Sequence, residues 1–323
     1  ECVNDPELKL QILDELRKVN VPIIITGNDI EGFTCMDNDI RGDFRRITDH
    51  LIDEHGIIDI DILTGQEDIQ TSHDRVNGVK DALSARGITL SDSRIIFGNY
   101  WNTSGEAAAK EYISGQRRLP KAIICANDYM AYGLIDELFN SDIRMPDDVT
   151  VIGYEYSGDR IYHFPVLTTY DRNRSAVGAK AVSMIHSMIT GEPAEDIPLD
   201  GCMICGDSCA CGCDKRFMGR ELNRVRTEHF YSNLNISGQF EQHLTACRSI
   251  DDYIGTLARF TYLLRDLKGL YVCLYENWCS LTEKTPINVS SNEEIMTLYR
   301  VMSPLPADDT PRFFKRRSIF PDD

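Results

Sequence analysis

The chemistry-bearing residues of this 323-residue chain gather where apolar runs end. Ala122-Ile123-Ile124-Cys125 is a short apolar run that ends on Asn127-Asp128, and residues 149–154 form a second run that stops at Glu155. Strand, polar tip, helix (Met130, Leu134, Ile135 and Leu138 at helical spacing), turn at Arg144-Met145-Pro146-Asp147-Asp148, strand: the order is that of a right-handed βαβ unit. Its polar groups stand at the carboxyl ends of the strands, the edge at which open α/β sheets bind ligands. A second cluster, Cys202, Cys205, Cys209, Cys211 and Cys213, has thiols enough for tetrahedral zinc or a redox function. It contains one CxxC where zinc knuckles usually come in pairs, so a packed strand-to-helix junction is the preferred reading and no metal or other cofactor is expected. GxSxG, HExxH, GxxxxGK[ST] and a GxGxxG after a strand are all absent, and the seven histidines are dispersed. The chain does not read as an enzyme; any catalysis is expected in an output domain outside it.

The elements that must position these residues alternate. Residues 6–20 read as an amphipathic helix, 21–25 as a buried strand, and 38–54 as a helix capped by Asp37 or Asn38 and stopped by Gly56. Strands at 57–63 and 95–98, helices at 73–86 and 105–114, and an amphipathic helix at 174–190 continue the pattern, with a last strand within 197–204. Unbroken β/α alternation means a doubly wound parallel sheet. From residue 215 to about 247 one long helix is expected, then a helix over 249–267, a strand over 269–275 and a proline-bearing tail.

The ANDxMAxG block at 126–133, PDDVTVIGYE at 146–155 and FPVLTTY at 164–170 together resemble the sensing core of the lactose/galactose-repressor family, over about residues 21–213. The resemblance implies a bilobal, periplasmic-binding-protein-like α/β fold whose N-lobe starts late, so that its first βα units are expected in the native protein. It divides the chain into a sensing domain at 1–213 (N-lobe 1–55 and 170–192, C-lobe 56–169 and 193–213) and a dimerisation helix at 214–248. Residues 249–323 weakly resemble the GAF-like α+β segment that joins such sensors to diguanylate cyclases, although no GGDEF motif is present. Ligand contacts implied by the resemblance come from Asp37, Arg75, Trp101 with Tyr100 as its fallback, Asn127, Asp128 and Glu155. Asp37 could equally be a helix cap, Arg75 could pair with Asp74 or Glu67, and one of Asn127 and Asp128 caps a helix while the other faces the cleft. Glu155 stands where the family has an aspartate, which favours a sugar, polyol or amine over an anion.

Composition sets the outer limits. With 51 acidic against 34 basic residues the net charge is −17, so the chain as a whole repels phosphate and direct contact with nucleic acid is not expected. No apolar run reaches the roughly 18 residues of a membrane helix, and eleven scattered cysteines suit a reducing compartment, the cytoplasm. The reading is a homodimeric small-molecule sensor that passes lobe closure to an output domain, first a diguanylate cyclase. The alternatives are a ligand-free scaffold or a transcription-regulator core without its helix-turn-helix.

Overall fold

The computed structural model describes residues 6–27, 30–36, 38–264, 267–275, 295–302 and 313–315. The chain divides into two compact units, Glu1–Val225 and Arg226–Asp323. In the first unit, α1 (Pro6–Lys18) leads to a two-stranded parallel sheet of β1 (Ile24–Thr26) and β2 (Thr34–Met36). The strand expected over 21–25 is thus shorter and only half-buried, with Val21 63% exposed.

The larger sheet carries the unit. It contains β3 (Ile60–Thr64), β4 (Ile95–Phe97), β5 (Ala122–Cys125), β6 (Thr150–Tyr154), β7 (Thr168–Asp171) and β8 (Cys202–Ile204), in the spatial order β4-β3-β5-β6-β7-β8. The first five run parallel, and β8 pairs antiparallel with β7 along the outer edge. Parallel neighbours need helical crossovers, supplied here by α3 (Gln70–Ser84), α4 (Asn102–Ile113) and α5 (Asp128–Phe139). Because side chains alternate across a strand, β5 serves two cores. Ala122 and Ile124 join Phe44, Ile47, Leu51, Val79 and Leu83 on one face, while Ile123 and Cys125 join Ala108, Met130, Leu134 and Val149 on the other.

Phe44, Ile47 and Leu51 belong to α2 (Ile40–His55). The resemblance implies an N-lobe place for that helix; its apolar stripe is buried against α3 and the large sheet. A stripe of this kind goes to the nearest surface that can exclude water from it. Its cap is Asp39, whose Oδ1 accepts the Gly42 N–H at 2.9 Å, rather than Asn38; Asp37 lies outside the described residues. Gly56, left-handed at φ 64°, ends it as expected.

The helix α6 (Arg174–Thr190) keeps its predicted span, yet none of its residues is buried. The unit closes with the root of α7 (Lys215–Ala246), a 32-residue helix. Arg160 and Glu221, 0% and 1% exposed in their side chains, join it to the loop before β7 at 2.7 and 2.8 Å. Val225 packs beside them with Ile161 and Val166.

In the second unit, α8 (Ile250–Arg259) is capped by Ser249 and gives way at Phe260 to a 3-10 turn, well short of residue 267. It packs on an antiparallel sheet of β9 (Leu270–Tyr275), β10 (Ile295–Met302) and β11 (Phe313–Lys315), ordered β11-β10-β9. Most of the proline-bearing tail lies outside the described residues. Among the described residues no helix is long and apolar enough to cross a membrane.

Candidate functional site

Strand order reverses at β3, which has β4 on one side and β5 on the other. At such a switch point the loops leaving neighbouring strands diverge and open a crevice. The residues there are Gly65 after β3, Tyr100 and Trp101 after β4, and Asn127 after β5, with Ser72 and Arg75 on the first turns of α3.

Tyr100 is the hub. Its backbone is left-handed at φ 67°, a conformation that costs a non-glycine residue free energy and must be held by its surroundings. Asn127 holds it by donating from Nδ2 to the Tyr100 carbonyl at 2.9 Å, while accepting the Met130 N–H at 2.9 Å as the cap of α5. The ring lies over Gly65, where a Cβ would sit 1.9 Å from Cζ, so only glycine admits it. Arg75 Nη1 donates to the Tyr100 hydroxyl at 2.9 Å, and the same hydroxyl shares a hydrogen bond with Ser72 Oγ at 2.7 Å.

Arg75 itself is 4% exposed. Its second bond, also from Nη1, goes to the Thr71 carbonyl at 3.1 Å, and its Nε has no partner. The rings of Tyr100, Phe44 and Tyr154 surround Cζ at 5.1, 5.8 and 5.8 Å. Among the described residues no carboxylate pairs with it, so the expected alternative with Asp74 or Glu67 is absent; Asp74 accepts instead from Gln70 at 2.9 Å. Burying a guanidinium carries a desolvation penalty, which the surrounding ring faces offset in part.

Beside β6, the backbone turns left-handed at Glu155 and Tyr156, with φ 111° and 57°. This swings the Glu155 carboxylate between Arg172 and Arg174, each at 3.9 Å. Next to it a cavity of 170 Å3 is lined by Asn38, Asp43, Arg46, Tyr154 and Arg172, among others. Two buried atoms here have no partner, Asn38 Oδ1 and Arg172 Nε. Tyr154 donates to Asp43 Oδ2 at 2.9 Å, and burial raises the Asp43 carboxyl above its ordinary range against the pull of that bond.

Asp128 does not face the crevice. It is 1% exposed, accepting the Thr169 hydroxyl and the Ser157 N–H at 2.5 Å each, and burial pushes it up to about 7 in spite of both bonds. Trp101, by contrast, stands 63% exposed at the start of α4, its indole 6.2 Å from the ring of Tyr129. Asp37 lies outside the described residues. Ser72, Tyr154, Asn38 and Arg172 were not anticipated. Arg172 follows a strand directly, a position whose meaning shows only when β7 is known to end at the cavity. Cys202 lies on β8 and the other four clustered cysteines in the loop before α7, at the opposite edge of the sheet.

A crevice at the switch point of a doubly wound sheet, with a desolvated cation and unpaired polar atoms around it, defines a small-molecule-binding module. The chain belongs to the Periplasmic binding protein-like domain family, whose model matches residues 48–209. It is 28% identical over 196 residues to the HTH-type transcriptional repressor PurR of Erwinia tasmaniensis, covering 60% of this chain and 57% of that protein. It is 33% identical over 183 residues to the repressor of the same name from Photobacterium profundum, covering 55% and 54%. Among solved structures, the Escherichia coli transcriptional repressor ascG superposes with a TM-score of 0.54 at 25% identity, over 61% of this chain and 72% of that one. A LacI-type transcription regulator from Bifidobacterium animalis gives 0.54 at 26%, over 61% and 75%. The first unit is therefore a LacI-type, periplasmic-binding-protein-like α/β sensor domain, and the chain spans a little over half the length of the curated relatives it matches.

Proposed function

We propose that this chain is the effector-sensing part of a LacI-type transcription regulator, and that its ligand is a neutral polar molecule: a sugar, a polyol or a nucleoside-like compound. The observation that carries this reading is the Arg75 guanidinium, buried, without a carboxylate among the described residues, and with Nε unpaired. A ligand oxygen that accepts from Nε removes the penalty of that buried N–H. Asp39, Asp43 and Asp200 line the adjoining cavity with Arg46 and Arg172, and Glu155 stands between Arg172 and Arg174, so acid and base are close to balance there, which favours a ligand without net charge. The 170 Å3 volume is below the roughly 300–1,000 Å3 of most ligand sites, which fits the small end of the class.

Sequence reading put a diguanylate cyclase first as the output. The relatives named as HTH-type repressors favour its alternative, a regulator core whose DNA contacts lie outside this acidic chain. Ligand binding then biases DNA affinity only through its differential affinity for the two lobe arrangements, in a homodimer. The unpartnered Nε of Arg75 weighs against a ligand-free scaffold.

The test is a thermal-shift panel of sugars, polyols and nucleosides. A ligand at 100 times its Kd stabilises the folded state by about 2.7 kcal/mol. The shift is expected to vanish in Arg75→Ala and to weaken in Trp101→Ala, where the exposed side chain makes misfolding no concern. A ligand that stabilises Arg75→Ala as well as the natural sequence refutes the assignment.

A further inference from the structure

Two histidines far away in sequence complete the cysteine cluster. His50 and His55 lie in the last two turns of α2, and their Nε2 atoms stand 3.3 Å apart. Cys209, 1% exposed, places Sγ 3.2 Å from His55 Nε2 and 3.8 Å from His50 Nε2. With Cys211 Sγ, the four ligand atoms all lie within 4.8 Å of one another. A tetrahedral zinc ion bound by two imidazoles and two thiolates sets ligand atoms about 3.3 Å apart between nitrogens, about 3.6 Å from nitrogen to sulfur and about 3.8 Å between sulfurs. The nitrogen–nitrogen separation matches that pattern, and the two separations from the Cys209 sulfur, 3.2 and 3.8 Å, lie to either side of its nitrogen–sulfur value. An imidazole–imidazole hydrogen bond accounts for the first distance only. It does not by itself bring a buried thiol, a weak donor and weak acceptor, within 3.8 Å of both rings.

The thiols are held in place from behind. Ser208 donates from Oγ to the Val151 carbonyl at 2.6 Å, accepts the Thr168 N–H at 2.8 Å, and through its own N–H and carbonyl bonds Val166 and Val151 at 3.0 Å each. Gly206 exchanges two bonds with Thr168 Oγ1, at 2.8 and 3.1 Å, and a Cβ on it would meet the Val166 carbonyl at 2.3 Å. The loop is thus pinned to the amino-terminal edge of the large sheet immediately ahead of Cys209. Cys211 is exposed and gives an ion its way in.

We propose that His50, His55, Cys209 and Cys211 form a closed, structural zinc site, distinct from the ligand crevice at the opposite edge of the sheet. Two nitrogen and two sulfur ligands in a tetrahedral disposition select Zn2+ over Mg2+ or Ca2+, and four protein ligands leave no open position for catalysis. Binding is an exchange without redox change: both thiols give up their protons to solvent as the two sulfur–zinc bonds form, and both imidazoles bind as neutral donors. The ion ties the end of α2 to the loop that opens into α7, so it fixes the root of the long helix. Cys202 and Cys213 take no part.

The experiment is metal analysis of the full chain purified without chelator, together with reconstitution of the stripped protein with Co2+ alone. The expected result is one zinc per chain and, with cobalt, the thiolate charge-transfer band and intense visible d–d bands of a tetrahedral site. Both are lost in His50→Ala, His55→Ala and Cys211→Ser, and both survive in Cys202→Ser and Cys213→Ser. Circular dichroism of Cys211→Ser, a surface change, separates loss of metal from loss of fold. Colourless cobalt protein with no zinc overturns the proposal. So does metal that persists in the His50→Ala/His55→Ala double variant but disappears in Cys205→Ser, which would place it on thiolates alone.

Discussion

Replacing Glu221 by glutamine tests how α7 is held. The Arg160 guanidinium is fully buried; it donates from Nε and Nη2 to the two Glu221 oxygens at 2.8 and 2.7 Å, and from Nη1 to the Leu167 and Cys205 carbonyls at 2.6 and 3.3 Å. Glu221→Gln keeps the shape but removes the only carboxylate that pairs with Arg160 among the described residues, and it turns one acceptor into a donor facing an N–H. Hydrogen bonds to charged groups contribute about 1.5–3 kcal/mol each, and removing one partner of a buried pair costs about 3–5 kcal/mol. For a unit of this size that lowers Tm by roughly 6–20 °C. Urea unfolding followed by far-UV circular dichroism measures it. The double variant Arg160→Met/Glu221→Leu is expected to recover most of the loss, because two apolar side chains fill the volume without a stranded charge. A loss under about 1 kcal/mol in Glu221→Gln would refute the reasoning, since it would mean that water reaches the guanidinium.

Two further predictions concern the sensor unit. Asp128 is raised from an ordinary 3.8 to about 7, so the folded state binds its proton more tightly than the unfolded chain does. Its contribution is fully present below about pH 4 and is lost as pH rises through about 7; the stability difference between the natural sequence and Asp128→Asn should fall across that window and level off above it, and a flat difference would show that the carboxyl is not desolvated. Asp39→Ala removes the cap of α2 and is expected to cost about 0.5–2 kcal/mol in urea unfolding, whereas Asn38→Ala, which caps nothing, should leave α2 unaffected.

The alternating elements were legible from the apolar runs, because a parallel strand buried on both faces writes itself as an unbroken apolar stretch such as Ala122–Cys125. The family resemblance that the three blocks carry also pointed to Arg75, to Trp101 with Tyr100 as its fallback, and to Asn127; of these Arg75, Tyr100 and Asn127 are joined by hydrogen bonds. Hidden was whatever depends on partners distant in the chain. Asp128 resembles any polar strand tip until Thr169 and the Ser157 N–H close over it. The surface that buries the stripe of α2, formed by α3 and the large sheet, does not show in its position between strands. The cysteine spacing drew attention to a CxxC pair, while the geometry joins Cys209 and Cys211 to two histidines 154 and more residues earlier.

The fit of Tyr100 over Gly65 has a consequence for descent. With a Cβ excluded at 1.9 Å, position 65 can drift from glycine only after position 100 has lost its ring, and a ring can arise at 100 only over a glycine. The two positions, 35 residues apart, are bound to change together, and Arg75 loses a hydroxyl and a ring face whenever they do. Relatives can thus be sorted by that pair alone into those that inherit this arginine's setting and those that must hold their ligands by other means.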